Sequence, residues 1–218
     1  MRARRILGYL LITGGALFLY FGARDLIESR AGQHEAERQF EDQPAPKPSP
    51  FHYSPSLRRS EEFIARPNIG EAVARLEIPR LGVDLYVVEG DGANQLRVGP
   101  GHAAGTALPG QNGNCIIAGH RDTHFRVLKD IRGGDEIILQ TRGGQYRYRV
   151  NATQVISPRD LRPLGPTRDA ELRLVTCYPF YYIGSAPKRF IVRAQLEPAT
   201  AADRSAPDID SGAGSSFP

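Results

Sequence analysis

The chain has 218 residues, a formal net charge of +4 at pH 7 and 40% hydrophobic residues, with two cysteines and no tryptophan. That length leaves room for one domain of ordinary size plus flanking segments, with a core large enough to be stable without disulfides. The charge is modest and its basic residues are spread along the chain without interleaved aromatics, which argues against nucleic acid as a partner.

In chain order, Arg2, Arg4 and Arg5 precede an uncharged apolar run at 6–23, about long enough to cross a hydrocarbon core as a helix. The arginines predict that residues 1–5 stay cytoplasmic and that everything after the span lies outside, as in a single-pass protein of the cell membrane. A cleaved signal peptide is the competing reading, since Gly14, Gly15 and Ala16 are small; the run ends in "YFGARDL", however, without an A-x-A-like site. Helix formers and charges continue through 24–41 as a polar stalk, and "DQPAPKPSPFHYSPS" at 42–56 reads as an extended spacer. Stalk and linker, 24–65, are expected to hold the domain off the bilayer. The segment 197–218 has almost no large apolar residues and is expected to be a disordered tail. The folded domain is then 66–196.

Within that domain, short strand patterns alternate with Gly and Pro. "AVARLEI" puts Ala74, Leu76 and Ile78 on one face, and "VDLYVV" does the same with Val83, Leu85 and Val87, with "PRLG" as the turn between. "DEIILQT-RGG-QYRYRV" predicts a hairpin whose Gly143-Gly144 pair suits a turn needing positive φ. "NCIIAGH", "ELRLVTC" and "KRFIVRAQL" complete the strands, and "THFRVLKDI" predicts a short helix. Many short strands at this spacing predict an all-β domain built as a closed or nearly closed barrel.

Three strand-end residues carry the chemistry. Cysteine catalysis needs a thiol, a nearby acid or base, and a cationic or hydrogen-bonding group for the oxyanion. Cys177 ends "LRLVTC" and is followed at once by "YPF"; His120 ends "CIIAGH"; Arg189 opens "RFIV" and by alternation points away from the face of Phe190 and Val192. Each alone also reads as an ordinary residue: a buried thiol, a loop histidine, a solvated arginine. Cys115, within "NGNCIIAGH", reads as a small buried hydrophobe, and no structural disulfide is expected. His120 and His124 are four apart, but Gly119 and the "RDT" that follows do not give zinc the continuous helix this pairing needs. His102 reads as a loop residue, and His34 and His52 fall in stalk and spacer. Asp122 either caps the helix near Thr123 or orients His120, capping being the expected role.

On these residues the sequence resembles the sortases, membrane-anchored cysteine transpeptidases of bacterial surfaces. The likeness lies in "LVTC" at 174–177, "AGHRDTHF" at 118–125 and "APKRFIV" at 186–192, with further similar stretches at "LPG", 108–110, and "GGDEIIL", 133–139. It covers about residues 70–196. The resemblance implies a sortase-type eight-stranded β-barrel, with Cys177 as nucleophile, His120 as general acid or base, and Arg189 holding peptide and oxyanion. It implies cleavage of a Leu-Pro-x-Thr-Gly-like (LPxTG-like) C-terminal sorting signal after Thr, a thioacyl intermediate, and transfer to an amine on a cell-wall precursor or pilin lysine. No cofactor or metal is expected. The "HRDTHF" run and N-terminal anchor resemble class D or the related Gram-negative sortases. The strand departs from the commoner Thr-initial pattern before the cysteine, so residues 171–173 carry no subclass signal. The aromatic run after Cys177, with Tyr178 and Phe180, either helps to select the peptide or packs under the barrel rim. A thiol peptidase with the same three residues and a non-catalytic peptide-binding barrel are the alternative readings.

Overall fold

The computed structural model describes residues 2–42, 66–182 and 184–198. Among them eight strands close into a barrel: β1 (Ala72–Ile78), β2 (Val83–Glu89), β3 (Gly101–His102), β4 (Gly113–Gly119), β5 (Glu136–Thr141), β6 (Gly144–Ile156), β7 (Ala170–Tyr178) and β8 (Lys188–Leu196). Their order around the barrel is β1-β2-β3-β4-β7-β8-β6-β5. Neighbours are antiparallel except β2–β3 and β4–β7. The parallel β4–β7 pair needs a crossover, and the β5–β6 hairpin lies within it in sequence.

Side-chain alternation explains the walls. β1 buries Ala72, Ala74, Leu76 and Ile78 and leaves the residues between half-exposed. β7 contributes Leu172 and Leu174 to the centre, where Tyr148, Ile117, Leu139 and Val192 meet them. Burying each such leucine is worth about 1.5–3 kcal/mol. The connection after β4 was expected to be helical; it forms a 3-10 turn, Arg126–Asp130, with Phe125 and Leu128 fully buried. These two large apolar side chains anchor the short segment to the core. Gly119 allows it: a Cβ there would lie 2.6 Å from the Phe125 ring. In the β5–β6 hairpin only Gly144 has positive φ, at 140°, so one glycine rather than the pair meets the backbone demand. β6 runs on to Ile156, beyond the expected "QYRYRV", because β8 pairs with it from Tyr148 to Ile156.

β2 departs from simple alternation. Tyr86 and Val88 on its outer face are buried as well as Val83 and Val87. The covering element is α1 (Arg2–Asp42), a continuous helix whose Ala36 and Phe40 pack there, with the Phe40 and Tyr86 rings 5.7 Å apart. Gln33 supplies the polar fit. Its Nε2 donates to the carbonyls of Tyr86 (3.0 Å) and Val98 (3.2 Å), and its Oε1 accepts the Tyr86 N–H at 2.8 Å. Because β3 reaches only as far as Val88, that stretch of β2 backbone would otherwise lack ladder partners. The expected polar stalk is therefore corrected over Ser29 to Phe40: this part of the helix is a layer of the folded unit. Gly32 faces Val98 of α2 (Ala93–Val98), where a Cβ would approach to 2.9 Å, so glycine permits the close packing of the two helices.

His102 is also not a loop residue. It is buried in β3, with Nδ1 2.6 Å from Glu89 Oε2 and Nε2 3.0 Å from both the Ala107 carbonyl and Thr106 Oγ1. Residues 43–65, which include all but the first residue of the expected spacer at 42–56, and the tail beyond 198 lie outside the described residues. Among the described residues no helix is long and apolar enough to cross a membrane, and several side chains of the 6–23 run lie outside them.

Candidate active site

The parallel register of β4 and β7 sets Gly119 opposite Thr176. The next residues, His120 just past β4 and Cys177 near the end of β7, therefore come side by side on strands about 4.8 Å apart. β8 returns antiparallel with Arg189 opposite Cys177. The thiol thus lies between the strand of the imidazole and the strand of the guanidinium, although the three positions span 70 residues of sequence. Thr176, 2% exposed, locks this arrangement: its hydroxyl donates to the Gly119 carbonyl at 2.7 Å, tying the two strand ends where the catalytic candidates emerge.

Cys177, His120 and Arg189 line one cleft of about 300 Å³ with Arg121, Asp122, Gly184, Ser185 and Ala186. His120 is exposed, while Cys177 and Arg189 are half-buried. Arg189 Nη1 donates to the Lys188 carbonyl at 3.1 Å and the Ala186 carbonyl at 3.4 Å. Both contacts use one nitrogen of the fork. Chemically, the cleft offers a reachable thiol, an imidazole able to move a proton, and a permanent cation for a developing oxyanion. Cys115 presents the opposite environment on β4: it is 1% exposed, and burial first, with Glu89 nearby second, pushes its thiol well above the usual cysteine range. Both cysteines are free thiols.

The other expectations sort differently. Tyr178 and Phe180 are not among the residues that line the cleft; they form an aromatic trio with Phe190, with ring centroids 5.2–6.3 Å apart. Asp122 caps no helix, since the 3-10 turn has no side-chain cap; it is exposed and lines the cleft. His124 turns to α1. Its Nε2 lies 3.0 Å from Ser29 Oγ on α1, and burial, then the nearby His120, hold it below the usual histidine range. Among the described residues no cluster of three or more His, Cys, Asp or Glu is placed to hold a metal.

Sequence reading missed Arg121. Its Nη2 donates to the carbonyls of Tyr182 (2.8 Å) and Gly184 (3.0 Å), and its guanidinium lies 5.7 Å from the Tyr182 ring centre. It therefore braces the loop between β7 and β8 against the loop carrying His120. Position next to His120 was the available signal; a partner 61 residues away was not visible.

A family model for the sortase domain matches residues 76–197. Sortase D of Bacillus subtilis is 38% identical over 128 residues, 58% of this chain and 65% of the relative. Sortase A of Listeria monocytogenes is 27% identical over 66% of this chain and 64% of its own length. The chain thus spans just under two thirds of these relatives. Among solved structures, the Clostridium perfringens Sortase D5 transpeptidase aligns with a TM-score of 0.60 and 27% identity, covering 78% of this chain and 98% of that one. The catalytic domain of B. anthracis SrtD aligns with a TM-score of 0.54 and 31% identity, covering 66% and 97%. The domain match takes in more than half of the 218 residues and includes all three residues that meet at the rim, so the chain belongs to the sortase family and is class D-like.

Proposed function

We propose that the chain is a cysteine transpeptidase that cuts an LPxTG-like sorting signal after its threonine and transfers the new acyl end to an amine. The observation that carries the reading is the register itself, which puts Cys177 between His120 and Arg189 in one open cleft. In the first half-reaction the Cys177 sulfur attacks the Thr carbonyl carbon while Arg189 donates to the carbonyl oxygen as it gains charge. The C–N bond then breaks. The Cys177 proton, passed through His120, goes to the departing amine, leaving a thioester on Cys177. In the second half-reaction a neutral amine attacks the thioester carbon, the C–S bond breaks, and one amine proton returns through His120 to the sulfur. The products are an amide and the free thiol.

The anchor belongs to this proposal: residues 6–23 hold the chain in the membrane with the barrel outside. Since α1 is continuous and docks by Ser29, the cleft lies only about 9 Å of helix beyond Ala23. The site then works at the bilayer surface, where a membrane-held substrate leaves the lipid.

The test mixes the full chain with an LPxTG-type peptide library and follows intact mass with and without an added amine. A Cys177-linked acyl adduct, and an amide product that needs the amine, is the expected result. Adduct followed only by hydrolysis at any amine concentration would replace the transpeptidase with a thiol peptidase, and the absence of any adduct would favour a binding barrel.

A further inference from the structure

A second cleft, of about 340 Å³, opens on the other side of His120. Ser29 of α1, Ala93, Leu96 and Arg97 of α2, and Thr123 and His124 line it; His120 and Asp122 belong to both clefts, whereas Cys177 and Arg189 line only the first. We propose that this second cleft seats the acceptor, a primary amine on a short apolar stem with an anionic group at its far end.

The assignment rests on the transpeptidase reading and follows from what that reaction requires. The acyl donor occupies the cleft of Cys177 and Arg189, so an acceptor must reach the thioester from another side while touching the group that takes its proton. His120 is that group, and the second cleft is the space that touches it without overlapping Cys177. The exposed Asp122 carboxylate draws an ammonium to this junction. Farther from Cys177, Ala93 and Leu96 give an apolar wall. Arg97 supplies a guanidinium whose one ion pair among the described residues, to Glu28, is long at 3.4 Å, leaving donors of the fork for a carboxylate or phosphate.

The wall is a built feature. Ser29 meets His124 at 3.0 Å, Gln33 staples α1 to the Tyr86 and Val98 backbone, and Gly32 lets α1 approach Val98. A chain with α1 undocked would keep the first cleft and lose one side of the second. In the transfer step the bound ammonium first releases one proton to solvent at the open cleft; the neutral amine then gives a second proton to neutral His120 as its nitrogen bonds the thioester carbon, and His120 returns that proton to the Cys177 sulfur as the C–S bond breaks.

The experiment uses the full chain, an acyl-donor peptide, and a matched acceptor pair, 6-aminohexanoate and its amide. Ala93→Trp, which fills the second cleft, is expected to raise the acceptor KM by about tenfold or more, with thioacyl formation and hydrolysis unchanged. Arg97→Gln is expected to abolish any preference for the carboxylate-bearing amine over its amide. Unchanged hydrolysis shows that each variant is folded. If both variants keep the wild-type acceptor KM and preference, the inference fails while the transpeptidase reading stands. If the wild-type chain forms no thioacyl adduct, the transpeptidase reading fails and takes this one with it.

Discussion

The parallel pair β4–β7 holds a cysteine at each of two levels, and the contrast between them separates structure from chemistry. At the lower level Cys115 pairs with Leu172 in register, surrounded by the apolar centre of the barrel. At the upper level His120 follows directly on β4 and Cys177 stands one residue before the end of β7, where a cleft opens. Identical thiols therefore have opposite prospects: burial holds Cys115 protonated, whereas Cys177 meets an imidazole, a guanidinium and solvent. Near the strand end a residue type that belongs in the core is open to a cleft. The Thr176–Gly119 hydrogen bond marks the boundary between the two levels.

The largest way to break this contrast is substitution at the two sulfurs. Cys177→Ala should lower peptide cleavage by on the order of 10³-fold or more and remove the acyl adduct. Cys115→Ala should keep the cleavage rate per folded molecule and only lower stability, by about 1 kcal/mol or more for the small cavity it leaves. Comparable losses of cleavage in both variants would erase the distinction. Arg189→Lys sharpens it next. A compact ammonium cannot reproduce the fork, so turnover should fall by about 10²-fold with folding intact, measured as kcat beside the thermal midpoint. Near-wild-type turnover would remove Arg189 from the oxyanion role. Thiol labelling reads the same contrast without substitution: Cys177 should react with an alkylating reagent far faster than Cys115 in the folded chain, and at a similar rate once the chain is denatured. Equal slow labelling in the folded state would mean that the rim is closed.

How much of this was legible in the sequence depends on the range of the interaction. The strands and the ends that carry Cys177, His120 and Arg189 follow from local alternation and from Gly and Pro punctuation, so they were readable. The closure of the barrel was readable as a class, and its register was not. Contacts made across the chain were hidden for the same reason. Nothing near "RDLIESRAGQHEAERQF" says that Gln33 will satisfy the backbone of Tyr86, so the helix looked like a solvated stalk. Arg121 was invisible as a brace because its carbonyl partners belong to the β7–β8 loop. The aromatic run after Cys177 was readable as two alternatives, and the contact with Phe190, on another strand, was not visible in either.

The smallest expected effect concerns the seam between α1 and the rim, where His124 binds Ser29. His124 is held below its ordinary value of 6.5, by burial first and by His120 second. The unfolded chain therefore takes up this proton at a higher pH than the folded chain does. Stability from this group is present in full above about pH 6.5 and is lost as pH falls from there through the lower folded value. Thermal midpoints of the full chain should drop by a few degrees more between pH 7.5 and pH 5.5 than those of His124→Gln, which keeps a hydrogen-bonding side chain beside Ser29 but cannot be protonated. The seam is also one wall of the second cleft, so protonation that loosens it should raise the acceptor KM before it affects formation of the thioacyl adduct. Parallel pH slopes in the two proteins would show that the seam tolerates the charged imidazole, and the rim would then owe its closure to Gln33 and Gly32 farther along α1.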